Sequence, residues 1–178
     1  MVRPYKNIEI LINAFINCNL ANAQLLIVGK PQPFDYGKVL KEKASCCSNI
    51  SFELQFIPND EMYELLNLAD ILVMPYNKRS CLNSGAIYLA FSYGKTIIAP
   101  QIGTTLEFKN NINDMYLYDY NEDEEQIERL SEAMIMAYND WKNNNQKFID
   151  KGKRLFEEVK QNNSSHSLIK AYKYIFNQ

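Results

Sequence analysis

The sequence is most informative first in what it is short of. It has one histidine, His166, near its C-terminal end, so a histidine-based metal centre has no ligands to draw on. Its four cysteines, Cys18, Cys46, Cys47 and Cys81, include no pair at the C-x2-C spacing of a zinc site. No metal and no resident cofactor are expected, and the thiols are read as reduced. No apolar run is long enough to cross a bilayer and no secretory signal opens the chain. The expected location is therefore the cytoplasm, with docking at the inner face of the membrane left open. The net charge of −2 is distributed as +1 over residues 1–100 and −3 over 101–178, which lacks the basic footprint of a nucleic-acid binder. Internal repeats and low-complexity linkers are also missing.

What is present is an alternation. "KNIEILINAFIN" places Ile8, Leu11, Ile12 and Phe15 at helical spacing. "AQLLIVGK" is a short apolar run closed by Gly29, as in a strand buried on both faces. "FDYGKVLKEKAS" reads as a helix, "NISFELQFI" as an extended segment ending at Pro58, and "DEMYELLNLA" as a helix with Met62, Leu65, Leu66 and Ala69 on its apolar face. "DILVMPY" is the strongest strand signal, and "TIIAP" and "DMYLYDY" follow as further strands. From Asn121 the pattern turns helical, opening on the acids Glu122 to Glu125, which suit a positive helix N-terminus better than a metal. "WKNNNQKFIDKGKRLFEEV" and "SHSLIKAYKYIF" continue as helices.

Short apolar strands alternating with amphipathic helices predict an α/β, doubly wound, Rossmann-like parallel sheet. The sheet core is expected over about 1–120 and a helical tail over 121–178, all within one domain, 1–178. Such a domain ordinarily begins with a strand, whereas this chain begins with "VRPYKN" and a helix. Either the first strand lies outside the chain or the sheet is one strand short.

Ligands of open α/β sheets bind at the carboxyl ends of the strands. Four segments qualify: Arg3 to Lys6, the turn after Gly29, "FIPND", and the loop from Pro75 to Gly85. Their contents suit an anion. A helix beginning at Ser84-Gly85 presents unpaired N–H groups at the positive end of its dipole, Gly85 leaves room for close approach, and Lys6 adds charge. Asn83 and Ser84 are equally good ordinary N-caps, so residue types alone leave both readings standing.

In this order the segments resemble the donor-binding C-terminal domain of GT-B glycosyltransferases of group 1 (family 4). "RPYKNIEILINAF", "AQLLIVGK", "ISFELQFIPNDEMYELLNLADILVMPY" and "SGAIYLAFSYGKTIIAPQIGTTLE" are each similar to the corresponding stretch of that family, over nearly the whole chain. The resemblance implies binding of a nucleotide-diphosphate sugar and metal-independent, retaining hexosyl transfer to a glycan or lipid-linked acceptor, as in cell-surface polysaccharide synthesis. It implies that Lys6 and the Ser84-Gly85 turn contact the diphosphate, while Gly29 and Ile57-Pro58 lie by the nucleotide. Arg3, displaced from the column of the family's arginine, and Asn83 are added as diphosphate candidates, and Leu82 as a nucleotide candidate. The family's paired glutamates fall on Cys81 and Leu89, so carboxylate contacts to ribose and sugar are lost. The N-terminal acceptor domain of a GT-B enzyme is absent from these residues, so this part alone is expected to be inactive. No catalytic residue is assigned. The alternative is a non-catalytic Rossmann-like module for regulation or assembly. Its receiver-domain version requires aspartates clustered at strand ends, and Asp70 lies at the wrong end of its strand.

Overall fold

The computed structural model describes residues 1–162. The segment "SHSLIKAYKYIF", with His166, lies outside the described residues. A 3-10 turn, Pro4–Lys6, leads into helix α1 (Ile8–Cys18), strand β1 (Leu25–Val28), α2 (Tyr36–Lys43), β2 (Ile50–Glu53), α3 (Asn59–Leu68) and β3 (Leu72–Val73). Helix α4 (Gly85–Ser92), β4 (Ile97–Pro100), the short α5 (Gly103–Glu107), a 3-10 segment (Lys109–Asp114) and β5 (Tyr116–Tyr118) follow. Two long helices, α6 (Glu125–Asn143) and α7 (Asn145–Asn162), complete it.

Every strand pair is parallel, with Leu25 opposite Ile50, Leu72 opposite Ile97 and Ile98 opposite Tyr116. Helices cover both faces of β3-β4-β5, as the alternating pattern requires. On one face, Ile12 of α1 and Leu130 of α6 share a core with Leu25, Ile27, Ile98 and Tyr116. On the other, Ile87 and Phe91 of α4 and Leu155 of α7 pack with Ile97 and Ala99. Burying each such side chain stabilises the fold by about 1.5–3 kcal/mol. The α/β, Rossmann-like class with a helical C-terminal region is what the structure has.

The helices after residue 121 are layers of this core. The Ser131 hydroxyl on α6 donates to the Ala14 carbonyl of α1 at 3.3 Å, and the Tyr138 hydroxyl donates to Ala21 at 2.6 Å. Helix α7 crosses the end of α4 so closely that a Cβ at Gly152 would overlap the Gly94 carbonyl oxygen. Gly94 itself has φ +65, the left-handed conformation that ends α4 and turns the chain into β4.

Four expectations are corrected. The strands form two sheets, β1-β2 and β3-β4-β5, rather than one. "DILVMPY", the strongest strand signal, yields only Leu72–Val73 as ladder, neither residue fully buried, because β3 has a partner on one edge only. "AQLLIVGK" is covered on one face, leaving Leu26 40% exposed, because α1 and α2 both lie on the side of Leu25 and Ile27. In α3, of the predicted apolar face only Leu66 is fully buried.

Candidate functional site at the start of helix α4

Beyond the carboxyl ends of β3 and β4 lies an open cleft of about 250 Å³. Its floor is Tyr76 and Cys81, one wall is Asn83, Ser84, Gly85 and Ala86, and the other is Tyr5 and Lys6. The 3-10 turn and the first turn of α4, eighty residues apart in sequence, therefore face the same space.

Ser84 occupies the N-cap position of α4 with extended backbone, φ −143 and ψ 116, but its side chain makes no capping hydrogen bond. Instead its hydroxyl donates to the Tyr76 hydroxyl oxygen at 2.9 Å. Its own N–H donates to Thr104 Oγ1 at 2.9 Å. Asn83, the other residue able to cap, turns its carboxamide oxygen toward Thr104, which donates to it at 3.4 Å. The amide of Ile87 reaches back to the Ser84 carbonyl at 3.2 Å. Among the described residues this leaves the N–H groups of Gly85 and Ala86 without an acceptor, at the positive end of the helix. A Cβ at Gly85 would meet nothing within 4 Å, so the glycine borders open space rather than a packed neighbour.

Lys6 supplies the nearest charge. Its ammonium lies 6.0 Å from the Tyr76 ring centroid. Burial holds it below its usual range; Cys81 opposes this and the positive charge of Arg3 adds to it. An ammonium short of solvent and of counter-charge is one an incoming anion would stabilise. Burial also pushes the Tyr76 hydroxyl and the Cys81 thiol up, with Ser84 and Lys6 respectively pulling back, so both stay neutral at the floor of the cleft.

Buried Gln126, at the start of α6, braces the floor and the segment that follows Lys6. Its Nε2 donates to the carbonyls of Pro75 at 2.9 Å and Tyr76 at 3.2 Å, and to the Tyr118 hydroxyl at 3.1 Å. Its Oε1 accepts from Asn7 Nδ2 at 2.8 Å. Asn7 follows Lys6 directly and takes the left-handed conformation, φ 53, that turns the chain into α1. One side chain thus ties the backbone at Tyr76 to Asn7, the residue after Lys6.

Of the residues singled out in the sequence, Lys6, Asn83, Ser84 and Gly85 meet at this cleft. Arg3 does not line it, since its guanidinium donates from Nε and Nη2 to Gln32 Oε1 at 3.0 and 2.6 Å. Gly29 ends β1 with φ +124 against Met1, and its N–H donates to the Glu53 carbonyl at 2.9 Å. Ile57 is buried, Pro58 is the N-cap of α3, and Leu82 is 67% exposed. None of these four lines the cleft. Sequence reasoning missed Tyr5, Tyr76, Ala86 and Gln126. The tyrosine ending "DILVMPY" was in the right place to be found, whereas nothing about Gln126 separates it from a surface glutamine.

Comparison with known proteins gives the family and the fold. The family model described as glycosyl transferases group 1 matches residues 1–140. A GDP-mannose:glycolipid 4-beta-D-mannosyltransferase of Xanthomonas campestris pv. campestris is 25% identical over 100 residues, which is 56% of this chain and 28% of that protein. The chain thus spans about a quarter of the length of the curated relative it matches. Among solved structures, the C-terminal domain of a glycosyl transferase group 1 family protein (LpcC) of Francisella tularensis superposes with a TM-score of 0.70 at 16% identity, over 93% of this chain and 84% of that one. HepE of Anabaena in complex with UDP superposes with a TM-score of 0.68 at 20% identity, over 89% of this chain and 41% of that one. At these identities the superpositions show a shared fold.

Proposed function

The chain belongs to the group 1 glycosyl transferases, and from that premise we propose that it is the half that holds the nucleotide-sugar donor during hexosyl transfer. The observation that carries this reading is the uncapped start of α4, where two amide donors and the Lys6 ammonium face one cleft. In glycosyl transfer the bond from the anomeric carbon to the diphosphate oxygen breaks, and negative charge grows on the departing nucleoside diphosphate. Fixed donors aimed at that charge lower the barrier, and removing one such donor typically costs about a hundredfold in rate. The N–H groups of Gly85 and Ala86, with Lys6, are placed to act on the distal phosphate. No metal enters this scheme, because the ammonium and the helix dipole provide the positive field.

The names of the similar proteins favour the same ligand class. One uses GDP-mannose and another was crystallised with UDP. On this proposal a second domain presents the acceptor, a glycan or a lipid-linked sugar, and the reaction occupies the cleft between the two. Synthesis of a cell-surface polysaccharide at the inner face of the membrane fits such an acceptor. Calorimetric titration of the chain with UDP, GDP and ADP tests the reading. Binding of one of them at millimolar concentration or below, competed by its sugar conjugate, supports it. Absence of heat and of competition for all three overturns it.

A further inference from the structure

We propose that Cys46 and Cys47 form a chelating dithiol for a trivalent arsenical that carries one organic substituent. The two cysteines stand on the turn between α2 and β2. Their sulfurs lie 3.5 Å apart, and Cys46 is exposed. Cys47 is the fixed member. Its N–H donates to the Ala44 carbonyl at 2.9 Å, its carbonyl accepts from Ile50 at 3.4 Å, and its side chain packs against the core that holds Ala44 and Ile50. The other two thiols stand singly: Cys18 donates to the Ser131 carbonyl at 3.4 Å and Cys81 to that of Asn83 at 3.5 Å. The turn enters the amino end of β2, and neither member of the pair lines the cleft beside α4.

Three chemistries compete for two adjacent thiols, and geometry separates them. The first is an internal disulfide. The peptide bond joining Cys46 to Cys47 is trans, which sets their Cα atoms about 3.8 Å apart. Disulfides ordinarily begin at about 4.4 Å, so closure strains the turn and the pair persists as a dithiol. The second is a metal ion. A centre bonded to both sulfurs at about 2.3 Å, the zinc–thiolate length, subtends about 100° across a 3.5 Å separation. That angle excludes a linear two-coordinate ion. It suits tetrahedral zinc, but zinc requires further ligands, and no group of three metal-binding side chains occurs among the described residues. The third is a pyramidal three-coordinate centre, which needs two sulfurs and the substituent it brings with it. Trivalent arsenic is such a centre, and soft thiolate ligands suit a soft acceptor. The step needs neither oxidant nor reductant. With an organoarsenic oxide, two As–S bonds form as the As–O bond and both S–H bonds break. The oxide oxygen leaves as water with the two thiol protons, and arsenic stays trivalent.

The test titrates phenylarsine oxide onto the full, reduced chain and follows it by intact-mass spectrometry. One arsenic per chain is expected, retained against excess glutathione, a monothiol, and released by dithiothreitol, which offers a chelate of its own. Cys46→Ser alters an exposed side chain and so leaves the fold intact. It should weaken binding by about a hundredfold or more, the loss of the second, intramolecular bond. The same titration on the chain unfolded in urea separates a site built by the turn from any adjacent pair. Binding to the folded chain should be about tenfold tighter, because the turn already holds Cys47. Absence of an adduct, its release by glutathione, undiminished binding in Cys46→Ser, or equal affinity of the folded and unfolded chains would each overturn the proposal.

Discussion

The Ser84 hydroxyl donates to the hydroxyl oxygen of Tyr76 at 2.9 Å and so does not cap the helix it begins. A serine at an N-cap ordinarily satisfies an amide of the first turn. Here Tyr76, three residues beyond β3, holds that serine aside, and the first-turn amides of Gly85 and Ala86 stay open toward the cleft.

Ser84→Asp separates the two uses of this turn. Aspartate is a good N-cap and complements the helix dipole, so thermal stability should hold or rise by up to about 1 kcal/mol. The same carboxylate competes for the anion seat, so nucleoside-diphosphate binding should be lost. Thermal unfolding and calorimetry on one sample check both; retained binding would assign the turn to capping alone.

Lys6→Met should weaken binding of a nucleoside diphosphate by about ten- to a hundredfold, the loss of one charge-assisted contact. The variant should also be more stable at neutral pH, because it removes a partly buried ammonium. The sign follows from burial holding Lys6 below its usual value of 10.5. Between the folded-state value and 10.5 the unfolded chain binds more protons, so stability rises with pH through that window and is depressed below it. Bound diphosphate should move the Lys6 titration, followed by the NMR shift of its Cε, back toward alkaline pH.

Gln126→Leu leaves the Pro75 and Tyr76 carbonyls without the donor that pairs them, and Asn7 without its acceptor. A cost of about 2–3 kcal/mol is expected, read as a fall in Tm of several degrees. Because the residue ties Tyr76 to the segment that follows Lys6, nucleotide affinity should fall as well, although Gln126 does not line the cleft.

Gly152→Ala should destabilise the fold by about 1–3 kcal/mol, since the new methyl group meets the Gly94 carbonyl and α7 must shift. Asp114→Asn tests the neighbouring anchor. Arg154 donates to both carboxylate oxygens of Asp114 at 2.6–3.0 Å, and the loss should be about 1–3 kcal/mol. Denaturant unfolding measures both.

The alternation of helices and strands was legible because each element carries its own period: Leu11, Ile12 and Phe15 along α1, and the four buried residues Ile97–Pro100 in β4. Lys6 and the Ser84-Gly85 turn were legible because their chemistry is local. What stayed hidden depends on partners. Leu26 reads like Ile27, and only the placement of the covering helices exposes one and buries the other. Arg3 has the right charge, yet Gln32, distant in sequence, claims its guanidinium. The choice between cap and anion seat rested on Tyr76, whose pairing with Ser84 no spacing rule announces.

The most direct measurement is an amide NMR titration of the full chain with GDP and UDP, observing Gly85 and Ala86. The account predicts large, saturable shifts at these two amides with one or both nucleotides, abolished by Ser84→Asp. Saturable binding that leaves Gly85 and Ala86 unmoved would contradict it.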